Sequence, residues 1–314
     1  MKHFILASIV AGAMALPAAA ADYTIMAPAA PGGGWDQTAR SLQATMQQEG
    51  ISKNVQVINV PGAGGTIGLA QFASQQKGNP HALIVGGYVM VGAILTNKAP
   101  VTLKDVTPIA RLTGEDEAIV VPASSPLKSI QDLIAALKKD PGSVSWGGGS
   151  AGGVDHIAAG LIAKAAGVDP TKINYIAFSG GGEALAAILG SQVTVGISSY
   201  GEFQSQVKAG TLRLLATSGE KQIEGAGAPT LKEAGLDVAV QNWRMVAAAP
   251  GLTAEQKAAV TADVKKLATS KTWQETLKTK GWVDTYLDGD AFSQQLAKDI
   301  SATETVLKDI GLVK

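Results

Sequence analysis

The sequence predicts an α/β protein built as two lobes, on three observations. Short β-rich runs alternate with longer helical patterns, which implies mostly parallel sheets covered by helices. Four of the runs pass into glycine clusters that open a helix. The 314 residues suit two domains of ordinary size, each able to bury its own core.

Met1 and Lys2, the apolar run "FILASIVAGAMAL", Pro17 and four alanines read as a secretory leader over residues 1–21, too short and wrongly flanked for a membrane span. The mature chain is expected to start at or near Asp22 and to be exported to the periplasm. "YTIMAP", "VQVINV", "ALIVGG", "VSW", "INYIAF", "VTVGI" and "LRLLAT" then read as buried strands, rich in Val, Ile, Leu and Tyr. Between them, residues 36–48 place Ala39, Leu42 and Met46 on one helix face. "SIQDLIAALKKDPG" carries Ser129 as N-cap and Pro141 just past its end. From Leu252 the pattern changes to three helices and at most one short strand. Thr253 with Gln256 fits a capping box, and Gly281 and Gly311 sit where helix C-caps belong. In the last helix Phe292, Leu296, Ile300, Leu307 and Ile310 form a stripe expected to pack on a sheet.

Composition excludes several functions. With 26 basic and 26 acidic residues there is no basic field for nucleic acid or an anionic membrane. The chain has no cysteine, so structural disulfides and thiolate metal sites are excluded. No metal site is expected elsewhere: Asp155 and His156 are adjacent and point to different helix faces. No cofactor is implied.

The chemistry lies in the four glycine junctions: "PGGGWD" (31–36), "PGAGGTIG" (61–68), "GGGSAGGVDH" (147–156) and "SGGGEA" (179–184). Parallel sheets bind ligands beyond the C-terminal ends of their strands, where helix N-termini offer unpaired N–H groups and partial positive charge. Glycines let those amides close on an anion. Two junctions in the first third and two in the middle third suggest opposed lobes, each offering two anion-seeking loops. A dinucleotide or nucleoside triphosphate is not expected: after Gly62 and Gly64 the next matching glycine, Gly68, lies one place beyond G-x-G-x-x-G, and no P-loop motif occurs. "GGSAG" (148–152) matches a hydrolase nucleophile elbow, which leaves a secreted esterase as the alternative of a different class. Its base is badly placed, because His81 precedes the serine and His156 lies on the serine's own helix.

The stretches "MAPAAPGGGWDQTAR", "VPGAGGTIGLAQF", "GGYVMVGAILTNKAPVTLKDVTPIARLTGE", "SWGGGSAGGVDHIAAGLIAKAAGVDP", "NYIAFSGGGEALAAILG", "PTLKEAGLDV" and "NWRMVAAAPG" resemble the extracytoplasmic receptors of tripartite tricarboxylate transporters, the Bug or TctC-like family. The likeness covers nearly the whole mature chain and is nearest to the tricarboxylate-binding members. It implies a type II periplasmic-binding-protein fold, with a cleft that closes through a large motion over a carboxylate such as citrate. The alternative ligands are a dicarboxylate or an aromatic carboxylate. It also implies delivery to large and small inner-membrane subunits, no catalysis, and by default a monomer. Lobe 1 would comprise residues 22–122 and 244–314 and lobe 2 residues 123–243, with crossings near 120–125 and 241–246.

The resemblance places ligand contacts at Ala30, Gly32, Gly33, Gly34, Trp35 and Asp36 in the first loop, with Gly64, Gly65 and Thr66 beside it. The facing contacts are Ser150, Gly153, Asp155 and His156, then Ser179, Gly180 and Gly181, with Tyr200 and Arg244 walling the cleft. Arg40, His156 and Arg244 are the candidate cations, although Arg40 stands at the i+4 spacing of a helix ion pair with Asp36. Asp36 is expected to cap its own helix or hold a water. Two departures from the family pattern are Ala30, which replaces a glycine and narrows the first loop, and "SSYGEF" (198–203), where Ser199 is expected to alter the rim of the second lobe.

Overall fold

The computed structural model describes residues 22–314, and the expected leader lies outside the described residues. The first sheet region is built on β1 (Tyr23–Ala27), which pairs in parallel with β2 (Val55–Asn59) and β3 (Ala82–Gly87). Their connections are α1 (Gly34–Gln48) and α2 (Thr66–Gln75); α3 (Tyr88–Thr96) follows β3 directly. The second region has β5 (Ser145–Gly148) parallel to both β6 (Asn174–Ala177) and β7 (Val195–Ser199). Here α4 (Ile130–Lys139), α5 (Val154–Ala165), α6 (Gly181–Leu189) and α7 (Tyr200–Lys208) alternate with the strands. This part follows the βα alternation of the sequence.

Two strands that the sequence reading missed join the regions. β4 (Thr107–Pro122) and β9 (Gln241–Ala248) run antiparallel to each other and give the strand order β2-β1-β3-β9-β4-β7-β5-β6. β4 pairs with β9 as far as Asp116↔Gln241; from Glu117↔Ser199 onward its partners are β7 and β8 (Leu212–Thr217). The hand-over therefore falls between Asp116 and Glu117, ahead of the 120–125 segment expected. Carboxylates at 115, 116 and 117 interrupt the apolar pattern that would have marked β4 as a strand.

The C-terminal helices α8 (Ala254–Ala268) and α9 (Lys271–Lys280), the strand β10 (Val283–Asp288) and α10 (Gly289–Asp309) return to the first region. The expected caps are present: reciprocal boxes at Ser129/Asp132 and Thr253/Gln256, and left-handed Gly281 (φ 70°) ending α9. One large core combines Ile25, Leu83, Met245, Leu42, Trp273 and Phe292; a second combines Trp146, Ile197, Leu133 and Ile162. α10 belongs to both ends of the molecule. Phe292 and Leu296 sit in the first core, whereas Leu307 and Ile310 pack on Ile157 of α5, a helix rather than the expected sheet. At about 1.5 Å per residue its 21 residues span roughly 30 Å.

Candidate ligand-binding site

Three helices begin at one cavity of about 550 Å³. α1, α5 and α6 each have a glycine N-cap (Gly33, Gly153, Gly180), which has no side chain to cap with. The capping comes from inside each helix instead. Its third residue reaches back to the amide two places before the first: Asp36 Oδ2 accepts from Gly32 N–H at 2.8 Å, His156 Nδ1 from Gly152 N–H at 3.2 Å, and Glu183 Oε2 from Ser179 N–H at 3.0 Å. The helical ladder starts only at Gln37, Ile157 and Ala184, whose amides return to the N-cap carbonyls. The three amides before each of these have no carbonyl one turn back to take them. Each helix end adds about half a positive charge. The glycine loop at 62–65, whose Gly64 adopts φ 61°, closes a further side of the cavity.

The glycines are not all alike. A Cβ on Gly34 would collide with the Arg244 guanidinium, and one on Gly181 would collide with the Glu202 carboxylate. Those two positions are bare because the protein's own charged groups lie against them. Gly180 and Gly182 face open space.

The floor is a buried charge cluster at the hand-over between strands. Arg244, 2% exposed, donates through Nη2 to Glu115 Oε2 and through Nη1 to Thr38 Oγ1 at 3.2 Å, with its guanidinium over the Trp282 ring. Trp282 Nε1–H donates to Glu115 Oε1 at 2.7 Å. Ser198 Oγ–H donates to Glu202 Oε2 at 2.7 Å, and Gly149 N–H to Asp155 Oδ2 at 2.6 Å. Burial drives the Glu202 carboxyl up from 4.5 to about 7, with Glu115 and Asp155 adding to the shift and Ser198 and Arg244 opposing it. Burial, then the neighbouring Asp155, lifts Glu117 well above the carboxylate range; burial likewise raises Asp155 against the opposing Gly149 amide.

Of the residues expected in the site, Ala30, Gly33, Gly34, Trp35, Gly64, Gly65, Ser150, Gly153, Asp155, Ser179, Gly180, Gly181 and Arg244 share the cavity wall. The others lie outside that wall. Gly32 gives its amide to Asp36, and Thr66 Oγ1 donates to Ala63 O at 2.9 Å. Asp36 is buried behind the loop, hydrogen-bonded by Arg40 Nε at 3.0 Å and Asn59 Nδ2 at 2.9 Å. Burial pushes its carboxyl up, but those bonds and the Gly32 amide outweigh that and hold it low. Tyr200 is core, packed with Phe203 and Val120. His156 stacks on Tyr175 at 4.0 Å between ring centroids, and burial lowers its pKa to about 4, so it is neutral. With Nδ1 engaged by Gly152, it is neither a cation for the ligand nor a base aimed at Ser150. Ser199 is not at the rim; it is 1% exposed and donates to Glu117 Oε1 at 3.3 Å.

The sequence reading missed Glu115, Glu117, Ser198, Glu202 and Asn242. The available signal was "GEDE" inside an otherwise apolar stretch, since charges in a buried strand need a reason.

The model of the tripartite tricarboxylate transporter family receptor, TctC, matches residues 38–312. BugT of Bordetella pertussis is 26% identical over 293 residues, covering 91% of this chain and 88% of BugT. The solved structure of the periplasmic binding protein BugD superposes with a TM-score of 0.84 at 21% identity, covering 93% of this chain and 98% of that one. MatC from Rhodopseudomonas palustris, solved with bound malate, gives 0.78 at 23% identity, covering 91% and 98%. These structures establish a two-lobed periplasmic-binding-protein fold, and the chain belongs to the receptor family of tripartite tricarboxylate transporters.

Proposed function

We propose that this receptor captures a small carboxylate in the periplasm and hands it to the large and small membrane subunits of its transporter. One observation carries the reading: the unladdered amides of three helix starts meet at a single cavity, where a carboxylate can accept charge-assisted hydrogen bonds worth roughly 1.5–3 kcal/mol each. Ser150 and Ser179 stand on the same wall and can add hydroxyl donors.

The charge balance favours a ligand with fewer than three carboxylates. Arg40 is tied to Asp36, His156 is neutral and Arg244 is tied to Glu115. A tricarboxylate such as citrate would therefore meet amide dipoles but no unengaged cation among the expected three, above a floor that is itself acidic. Burying charge without a counter-charge is costly. A dicarboxylate, the class to which the malate bound by MatC belongs, suits this site better. Neutral, inward-engaged His156 argues against the esterase alternative.

Thermal-shift and calorimetric titration of the mature chain with succinate, glutarate, malate, adipate, aspartate, glutamate, citrate and benzoate tests the proposal. A native binder raises the melting temperature by mass action. At least one acid should do so, ahead of citrate. No response to any carboxylate would refute a carboxylate receptor; citrate binding tightest would refute the charge argument.

A further inference from the structure

We propose that the acidic floor is a second subsite, which takes a protonated nitrogen of the ligand, so that the captured solute carries an ammonium group as well as its carboxylate. The inference rests on the carboxylate-receptor reading and narrows its ligand class.

The first support is a free acceptor in the cavity wall. Ser199 Oγ lies 3.3 Å from Glu117 Oε1. Asn242 presents Nδ2 to the same Ser199 Oγ, at 3.0 Å, and its Oδ1 is left over. Asn242 is only 8% exposed and lines the cavity, and that Oδ1 has no hydrogen-bond partner among the described residues. A buried acceptor of this kind is costly unless something donates to it.

The second support is charge. Glu202 and Asp155 stand in the same cavity wall, with Glu115 beside them, and they face the Arg244 guanidinium. Arg244 gives Nη2 to Glu115 and Nη1 to Thr38, and its Nε–H has no partner among the described residues. A ligand that brought only negative charge to this floor would add repulsion. An ammonium presents three N–H groups, which suits Asn242 Oδ1, Glu202 and Asp155 as acceptors, while the carboxylate rests on the helix amides.

The test compares acids that differ only in the amine. Calorimetric titration of the mature protein at pH 8 should show L-aspartate binding at least tenfold tighter than succinate, or L-glutamate at least tenfold tighter than glutarate. Glu202→Gln keeps an acceptor for Ser198 but removes the charge. It should cut the amino acid's advantage over its amine-free partner at least tenfold. The wild-type comparison decides the matter even if the variant does not fold. Amine-free acids binding as well as their amino counterparts would overturn the inference, as would a full advantage surviving in Glu202→Gln. Binding of malate, adipate, citrate or benzoate with no response to either amino acid would overturn it while sparing the carboxylate reading. Silence from every carboxylate would overturn both.

Discussion

Replacing Glu202 by Gln tests the floor through stability alone, without any ligand. The folded state holds the Glu202 proton more tightly than the unfolded chain, because burial lifts its pKa from 4.5 to about 7. The linkage sign follows from that direction. Below the unfolded value both states are protonated and nothing is lost. As pH rises from about 4.5 to about 7 the unfolded state ionises first, stability falls, and above about 7 the loss is complete. A shift of this size corresponds to roughly 3 kcal/mol. Gln cannot ionise, so the variant escapes the loss: near wild-type stability at pH 5, more stable at pH 8. For a chain of this length that is on the order of 5–10 °C in melting temperature. The assay is differential scanning calorimetry of wild type and variant at both pH values, in buffers free of carboxylates, which would compete for the site. Equal differences between the two proteins at pH 5 and pH 8 would refute a buried, proton-holding Glu202.

Gly181→Ala should displace the Glu202 carboxylate and abolish ligand binding, whereas Gly180→Ala, which points into open space, should keep the fold; equal effects in the same titration would contradict the packing described. Ser150→Ala and Ser179→Ala should each weaken the best-binding acid by about 0.5–1.5 kcal/mol, a loss of up to roughly tenfold; unchanged affinity in both would remove the hydroxyls from the site. His156 should show no imidazole titration by NMR between pH 5.5 and 8, since burial holds it neutral down to about pH 4. A midpoint near the ordinary histidine value would contradict its placement.

What the sequence revealed and hid has a physical pattern. The glycine junctions were legible because helix starts need special backbone, and three of the four deliver amides to the cavity as helix N-termini. The capping partners were half legible: Asp36 was expected to cap, but Glu183 and His156 do the same for their own helices, which only the repeated spacing of four residues could have shown. The floor was not legible. Glu115, Glu202 and Arg244 are separated by 87 and 42 residues and meet only because β4 and β9 lie side by side with α7 above them. Their charges also hid β4 and β9 from a reading based on apolar alternation. The bridging role of α10 was missed because its stripe shows an apolar face without saying that the two ends of that face meet different cores.

The central claim is that backbone amides from α1, α5 and α6 grip the ligand together. Amide NMR of the ¹⁵N-labelled mature protein, titrated with the tightest acid of the panel, tests it most directly. The account predicts that the amides of residues 34–36, 154–156 and 181–183 move together on one binding curve. Saturation by that acid with the shifts confined to a single helix start, or located elsewhere, would contradict it.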